Sequence, residues 1–283
     1  MKKIILLIFV LIFQNSHAQW MNSFEDAQKI ALVSNKLMLV DFTANWCKPC
    51  REMEKYSWTN SEVQLLMEDF VCVKVDVDID KSTSTKYNVN AIPRILIVDG
   101  NGKIFFSDVD LFPAIHLKII LNKYSLSTEF IGMDLINQYK NSNYSNAIRL
   151  IQKYCRYSLF TNNNIREDVL KAGFSYMNDA KHFLKKDDAD FEEKKQKLQL
   201  LELYELAYSF NFDKLNNKIA NFDENQIKDN NKEIYYFLKY LLAKTVNNNE
   251  IKTIEEKLKL LEYFETIFNK ANEIVEKSLL VSK

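Results

Sequence analysis

The feature that most constrains this chain is a pair of cysteines between an apolar run and a helix-forming run. Leu37–Phe42 is almost continuously apolar, Cys47 and Cys50 are separated by two residues, and Arg51–Tyr56 favours a helix. This order predicts a strand, a tight turn and a helix that begins at Cys47. Free N–H groups and the positive end of the helix dipole favour an anion at that point. We therefore expect the Cys47 thiolate to be the attacking sulfur.

The same cysteine spacing also occurs in zinc sites, which need two further ligands. The other candidate ligands show no matching spacing; they are Cys72, His116, Cys155 and His182. We therefore predict a redox pair, no metal site and no cofactor beyond a redox-active disulfide between Cys47 and Cys50. Cys72 and Cys155 are predicted to be buried core thiols.

Short motifs surround the pair. They are Asp41-Phe42, Trp46-Cys47-x-Pro49-Cys50, Lys74, Ile92-Pro93, the run Cys50–Tyr56 and the run Asn60–Gln64. Together they resemble thioredoxin, and more closely the periplasmic C-terminal domain of the DsbD-type thiol-reductant transporter, over about residues 22–125. The resemblance implies an α/β thioredoxin fold, with a central mixed sheet flanked by helices, for a domain spanning residues 19–125. It also implies dithiol–disulfide exchange.

Three charged residues are candidates for supporting this chemistry. Asp41 lies within the apolar run, and a lone buried carboxylate must be paired, neutral or functional. The resemblance implies that Asp41 handles the proton of Cys50, that Lys74 is its partner, and that Glu54 lies near the cysteines. A solvated helix face is the alternative for Glu54. We expect burial and nearby negative charge to raise the pKa of Asp41 in the reduced protein, against the effect of Lys74.

Residues flanking the pair and a distant proline are candidates for substrate binding. They are Trp46, Lys48, Pro49, Ile92, Pro93 and Arg94. Trp46 is expected to shield the site, Lys48 to place a cation beside it, and Pro49 to stiffen the turn. The resemblance implies a cis Ile92–Pro93 bond that presents backbone groups to an extended substrate segment. Arg94 either grips an acidic partner or is a solvated residue at a strand start.

A turn sequence and a proline predict two further features of the first domain. Asp99–Gly102 is a strong turn sequence and predicts a hairpin between strands at Arg94–Val98 and Lys103–Ser107. Pro113 is expected to be the first residue of a helix that ends at Tyr124.

After residue 125 the pattern changes to a helical spacing of Leu, Ile, Phe and Tyr that continues to the end. This predicts an all-helical domain over residues 126–283, with six to eight helices. The pattern of Lys197–Glu202 recurs at Lys257–Glu262, which marks either an array of helical hairpins or a chance match of two amphipathic helices. We prefer the second interpretation.

The start of the chain predicts export. Lys2-Lys3 precedes a run of ten apolar residues, Ile4–Phe13, and Ser16-His17-Ala18 resembles a cleavage site, so residues 1–18 read as a signal peptide. Ten residues are too few to span a bilayer, which needs about twenty; the alternative is an uncleaved anchor. We expect a soluble, exported protein in the bacterial periplasm.

Two functions follow. Lys+Arg and Asp+Glu both number 38, so no electrostatic footprint indicates nucleic-acid binding. The first function is an exported thiol-disulfide oxidoreductase that reduces protein disulfides and receives electrons from a separate membrane donor. The second is a partner-binding protein, in which the helical domain binds another protein and the redox pair only senses. The combination of Asp41, Cys47, Cys50, Lys74 and Pro93 favours the first.

Overall fold

The structure, a computed structural model, describes residues 19–245, 251–259 and 264–281. The predicted signal peptide, residues 1–18, lies outside the described residues. The first part of the chain folds into four strands and five helices: α1 (Phe24–Ser34), β1 (Leu37–Thr43), α2 (Lys48–Tyr56), α3 (Ser61–Met67), β2 (Phe70–Asp76), α4 (Lys81–Lys86), β3 (Arg94–Val98), β4 (Ile104–Val109) and α5 (Ala114–Tyr124).

These strands form one mixed sheet in the order β2-β1-β3-β4. β1 pairs in parallel with β2 and antiparallel with β3, and β4 completes the predicted hairpin. The parallel pair is joined through α2 and α3, as a parallel connection requires. The predicted α/β thioredoxin fold is thereby confirmed, and the end of β1 is brought directly to the cysteine pair.

The sheet is covered on both faces, which explains why β1 reads as a continuous apolar run. Met38, Val40 and Phe42 point into a core with α1 and Tyr87. Leu37 and Leu39 point into the larger core on the opposite face. Asp41 has the parity of this second set, so its carboxyl lies on the face that α2 covers.

The rest of the described chain is helical, as predicted. Nine α-helices lie within its described residues: α6 (Glu129–Lys140), α7 (Tyr144–Ser158), α8 (Arg166–Phe174), α9 (Tyr176–His182), α10 (Phe191–Tyr208), α11 (Phe212–Ile219), α12 (Lys232–Thr245), α13 (Ile251–Lys259) and α14 (Phe264–Val281). The expected number of six to eight is therefore too low. One reason is that the helical run of α8 and α9 is divided at Ser175, whose hydroxyl donates to the Ala172 carbonyl at 2.6 Å and competes with the helix ladder.

The sheet and the helices share one apolar core. Leu39, Ile97 and Phe105 of the sheet belong to the same buried cluster as Ile151 and Leu238 of the helices. Residue 36 also forms an isolated antiparallel bridge with residue 127, just after the first part of the chain ends. The two parts therefore pack against each other through apolar side chains.

A buried polar contact joins the β3–β4 turn to the helices. The Oδ1 atom of Asp99 accepts from the backbone N–H groups of Asn101 and Lys103, at 2.9 and 2.8 Å. Its Oδ2 atom accepts from the hydroxyls of Tyr154 in α7 and Tyr176 in α9, at 2.6 and 2.7 Å. We term Asp99, Tyr154 and Tyr176 the hairpin joint.

Two other expectations meet different outcomes. Pro113 precedes α5 as its N-cap, with a ψ of 154°, and so is not the first helical residue; its extended backbone turns the chain into the helix. The second copy of the repeated Lys-Leu pattern lies partly outside the described residues. In the part of the chain that the structure describes, no helix is both long enough and apolar enough to cross a membrane.

Candidate active site

The cysteine pair lies at the start of α2, just after the turn that connects β1 to this helix. Cys47 is the N-cap residue of α2, with extended backbone, and its Sγ accepts from the Cys50 backbone N–H at 3.2 Å. Pro49 occupies the first turn, where its missing N–H costs no helical bond. Cys47 and Cys50 form a disulfide, with their Cα atoms 5.3 Å apart. A sulfur at this position faces the free N–H groups that stabilise an anion.

The surroundings of the pair are apolar. Cys47 and Cys50 form a small buried cluster with Ala44, and Ile92 and Val77 pack against it. The two cysteines are nearly equally covered, with 3% and 7% of each residue exposed. Exposure therefore does not rank them, and the helix N-terminus is what distinguishes Cys47 from Cys50.

The rim of the site is formed by exposed residues in the turn before α2 and in the first turn of α2. Trp46 is 66% exposed, and its Nε1 donates to Asp78 Oδ2 at 2.9 Å. Lys48 and Pro49 are also exposed. Trp46 is thus held by a carboxylate in the loop after β2 and lies beside the buried sulfurs.

The second wall comes from the segment before β3. The Ile92–Pro93 peptide bond is cis, and Pro93 is buried. Arg94 follows directly, but its guanidinium is turned into the protein. It donates to the carbonyls of Tyr87 and Asn88 at 3.1 and 3.0 Å, and to Ser107 Oγ at 2.9 Å. These bonds tie Arg94 to the loop that precedes Pro93 and to β4, while the residue remains partly exposed.

Asp41 is almost completely buried at the carboxyl end of β1, with 4% of the residue exposed. Burial raises its pKa from 3.8 to about 7 in the disulfide form; the positive charge of Lys74 opposes this shift, and the negative charge of Glu54 adds to it. The Trp58 indole N–H weakly favours the ionised carboxylate, but this group makes no hydrogen bond of ordinary geometry. The Asp41 carboxyl can therefore exchange a proton near neutral pH.

Lys74 stands opposite Asp41 in the β1–β2 register, yet its ion pair is with Glu54. The expectation that Lys74 is the direct partner of Asp41 is corrected in this respect, because the half-exposed Glu54 carboxylate competes for the ammonium group from α2. Lys74 also lies over the Trp20 ring, 5.0 Å from its centroid, and Trp20 packs edge-on against Trp58. The structure thus brings Asp41, Lys74 and Glu54 together beneath an aromatic cover.

Comparison with known proteins identifies the family. A family model described as thioredoxin-like matches residues 19–100. Thioredoxin from Mycoplasmoides gallisepticum is 34% identical over 90 residues, which are 32% of this chain and 86% of that protein. The chain belongs to the thioredoxin-like family.

Two further relatives each match a part of this chain. The thiol:disulfide interchange protein DsbD of Haemophilus ducreyi is 32% identical over 79 residues, 26% of this chain. The chain spans 14% of the length of that relative. The oxidised C-terminal domain of DsbD from Neisseria meningitidis aligns with 38% of this chain and 99% of its own, at 19% identity and a TM-score of 0.34. The predicted resemblance to thioredoxin and to DsbD is confirmed.

Within the thioredoxin-like part, three residues near the site were missed by sequence reasoning. Asp78 holds Trp46, and Trp20 and Trp58 cover the charged cluster. The alternation of acids in Asp76, Asp78 and Asp80 after β2 was the available signal for the first. Nothing in the local sequence ties Trp20 to a residue 38 positions away.

The other two cysteines lie in the core. Cys72 and Cys155 are buried and unpaired. Burial raises the pKa of the Cys72 thiol to about 12 and that of Cys155 well above its usual range. Both therefore stay protonated and unreactive at neutral pH. Among the described residues, no group of three or more His, Cys, Asp or Glu side chains is placed to hold a metal ion.

Proposed function

We propose that the protein is an exported thiol-disulfide oxidoreductase that reduces disulfides in protein substrates. The observation that carries this proposal is the Cys47–Cys50 disulfide at the N-terminus of α2, the helix that follows β1, together with the buried carboxyl of Asp41 in β1, whose pKa is about 7. A nucleophile stabilised as an anion and a nearby proton acceptor are what thiol exchange requires.

The exchange begins from the reduced pair. The Cys47 thiolate attacks one sulfur of a substrate disulfide, forms a mixed disulfide and releases the first substrate thiolate. Cys50 then loses its proton and attacks Cys47 Sγ, which closes the Cys47–Cys50 disulfide and releases the second substrate thiolate. Two electrons pass from the pair to the substrate, so the substrate is reduced and the pair is oxidised.

Asp41 is proposed to accept the Cys50 proton in the second step. Its pKa of about 7 allows it to be ionised when the proton arrives and to release that proton afterwards. Glu54 and Lys74 tune this group, because the first raises its pKa and the second lowers it. Glu54 and Lys74 are thus positioning residues for the proton transfer.

Substrate recognition is proposed to involve the rim. Trp46, Lys48 and Pro49 are exposed beside the sulfurs, and Ile92 and Pro93 form the facing wall. An extended substrate segment fits between these two walls. Arg94 contributes by holding the Pro93 loop and not by direct contact.

The motif at residues 1–18 supports export, with the bacterial periplasm as the compartment. Each cycle leaves the pair oxidised, so its re-reduction requires a donor of two electrons, which we propose to be a separate membrane protein. The helical part is the place where a partner would bind.

Two measurements test the proposed activity. With dithiothreitol as the electron source, the full chain should accelerate reduction of a protein disulfide such as that of insulin, and Cys47→Ser should abolish this effect while Cys72→Ala retains it. Cys50→Ser should trap mixed disulfides through Cys47. Equal trapping by Cys47→Ser through Cys50 would reverse the two roles.

The reduction potential decides the direction of transfer. A value for Cys47–Cys50 near that of thioredoxin, about −270 mV, identifies a reductase, whereas a value near about −120 mV identifies an oxidant. Equilibration with glutathione or dithiothreitol standards gives this number directly. A stable partner complex that survives mutation of both cysteines would favour the partner-binding function instead.

A further inference from the structure

A small cavity lies in the helical part, between α7, α10 and α14, and none of its lining residues belongs to the thioredoxin-like part. Four cations and two tyrosines line it, with a glutamine: Arg149, Lys153, Arg156, Lys270, Tyr204 and Tyr208. No carboxylate is among these lining residues. We term this the basic cavity.

Three of its cations come from one face of one helix. Arg149, Lys153 and Arg156 follow each other at intervals of four and three residues along α7. Side chains at these spacings are neighbours, and like charges placed there destabilise a helix. Lys270 of α14 adds a fourth positive charge to the same cavity. An anion in the cavity would relieve part of this repulsion.

The two tyrosines provide an independent observation. Tyr204 and Tyr208 are each only 4% exposed, and their rings pack on Phe237 at centroid distances of 5.1 and 6.4 Å. Neither hydroxyl makes a hydrogen bond to any residue in the described ranges. Burial raises the pKa of both hydroxyls, so they remain protonated donors. Neither hydroxyl is among the buried polar atoms that are closed off from solvent without a partner, so both are open to the cavity and can donate to an acceptor that enters it.

Nearby acids neutralise part of the positive charge. Asp134 Oδ1 lies 3.7 Å from Arg149 Nε, and Glu233 Oε1 lies 3.3 Å from Lys270 Nζ. Glu273 also lies near enough to Tyr208 to contribute to its raised pKa.

Two cations of the basic cavity are left without a carboxylate. Lys153 Nζ lies over the Phe130 ring, 4.7 Å from its centroid. Arg156 makes no ion pair with any described residue. The positive charge available to a ligand therefore lies at these two side chains.

We propose that the basic cavity binds an oxyanion of the phosphate class, with Arg156 and Lys153 pairing with its charge and the Tyr204 and Tyr208 hydroxyls donating to its oxygens. Guanidinium and ammonium groups are the usual protein partners of phosphate. The cavity volume is about 180 Å³, below the roughly 300–1,000 Å³ of sites for drug-sized ligands. It therefore suits a free phosphate ion or a small phosphate head group.

The test is calorimetric titration of the full chain with inorganic phosphate. Saturable binding with one site per chain is expected. Arg156→Gln should weaken it by about tenfold or more, since a charge-assisted bond is lost, and Tyr208→Phe by about two- to tenfold. The matched control is Lys186→Gln, which removes the same charge from an exposed position without an ion pair among the described residues and should change the affinity less than twofold.

A second titration distinguishes the two sources of such a ligand. Vesicles of phosphatidylcholine with added phosphatidic acid present the same group on a lipid. Phosphate binding without vesicle binding assigns the cavity to a small soluble ligand, and vesicle binding that Arg156→Gln abolishes assigns it to a head group. Absence of saturable binding to both probes overturns the proposal, as does an equal loss in Lys186→Gln. Circular dichroism of each variant verifies that the helices are intact.

Discussion

Two buried carboxylates lie at opposite ends of the antiparallel β1–β3 pair, and they differ in how their surroundings treat them. Asp41, near the carboxyl end of β1, receives no hydrogen bond of ordinary geometry from the described residues. Asp99, in the hairpin joint, receives four. Burial raises the pKa of both. The difference separates a group that is left free to exchange a proton from one whose oxygens are fully used in holding structure.

The largest effect on stability is expected from removing Asp99, the carboxylate that accepts four hydrogen bonds. Asp99→Ala leaves the Tyr154 and Tyr176 hydroxyls and two backbone N–H groups without their acceptor. Each orphaned buried donor costs about 1–3 kcal/mol, so the free energy of unfolding should fall by about 3 kcal/mol or more. Urea denaturation measures this loss. Asp108→Ala, at an exposed position of the same hairpin, should change it by less than about 0.5 kcal/mol.

Asp41, the carboxylate without such hydrogen bonds, should make the free energy of unfolding decrease as pH rises. Asp41 has a native pKa of about 7 against an ordinary 3.8, so between these values the native state holds a proton that the unfolded state has lost. Stability then decreases with pH across this window. At about 1.4 kcal/mol per pKa unit, the disulfide form should lose about 3 kcal/mol more than Asp41→Asn between pH 5 and 8. Parallel pH profiles for the two proteins would show that Asp41 is not protonated in this range.

The same residue should control the second step of exchange. Asp41→Asn removes the proton acceptor for Cys50 while keeping nearly the same size, so resolution of the mixed disulfide should slow by about 10- to 100-fold, near the lower end for general acid–base groups. Rapid-quench measurement of the mixed disulfide gives this rate. Asp99→Asn is the matched control and should leave the rate unchanged. If Asp41→Asn resolved at the wild-type rate, the proton-transfer role would be wrong.

A smaller effect is expected from trimming one donor of the hairpin joint. Tyr154→Phe removes a hydrogen bond to a carboxylate oxygen, which still accepts from Tyr176, so stability should fall by about 2 kcal/mol. Tyr157→Phe, on the same helix, removes a bond to the Ser127 carbonyl at 2.8 Å and should cost about 1 kcal/mol. A larger loss in Tyr157→Phe would mean that the Asp99 contact is not the stronger one.

The smallest change should come from the rim of the Asp41 cluster. Glu54→Gln removes a negative charge that raises the pKa of Asp41 and frees Lys74 from its ion pair. The Asp41 pKa should therefore fall, and the pH window of the stability loss should move down with it. Carboxyl titration by nuclear magnetic resonance follows this shift. Glu52→Gln, on the same helix, provides the control and should leave the Asp41 pKa in place.

The Asp41 site could be predicted from sequence because its signals are local. Three features lie within twenty residues: a carboxylate in an apolar strand, a cysteine pair and a helix-forming run. Because they are so close in sequence, the position of each one limits where the other two can lie. The hairpin joint could not be predicted in this way. Asp99 reads as an ordinary turn residue, and its partners Tyr154 and Tyr176 come 55 and 77 positions later, with no local pattern that pairs them with it.

Two features of the site depend on a choice between acceptors. The ion pair between Lys74 and Glu54 depends on how α2 lies over β2, and the contacts of Arg94 depend on carbonyls of the preceding loop and on Ser107 of β4. Charge and spacing showed that these residues were near the site. They did not show which of several acceptors within reach each side chain would take.

The hairpin joint also affects whether the thioredoxin-like part would be stable without the helical part. A fragment ending at residue 125 would lack Tyr154, which packs against Phe105 at 6.0 Å between ring centroids and donates to Asp99. In that fragment the Phe105 ring, and the Asp99 carboxylate without its tyrosine donors, would be exposed to water. A newly exposed apolar patch promotes self-association. The thioredoxin-like part is therefore not an independent unit that can be produced alone or fused to another protein, although its motifs alone suggest that it is one.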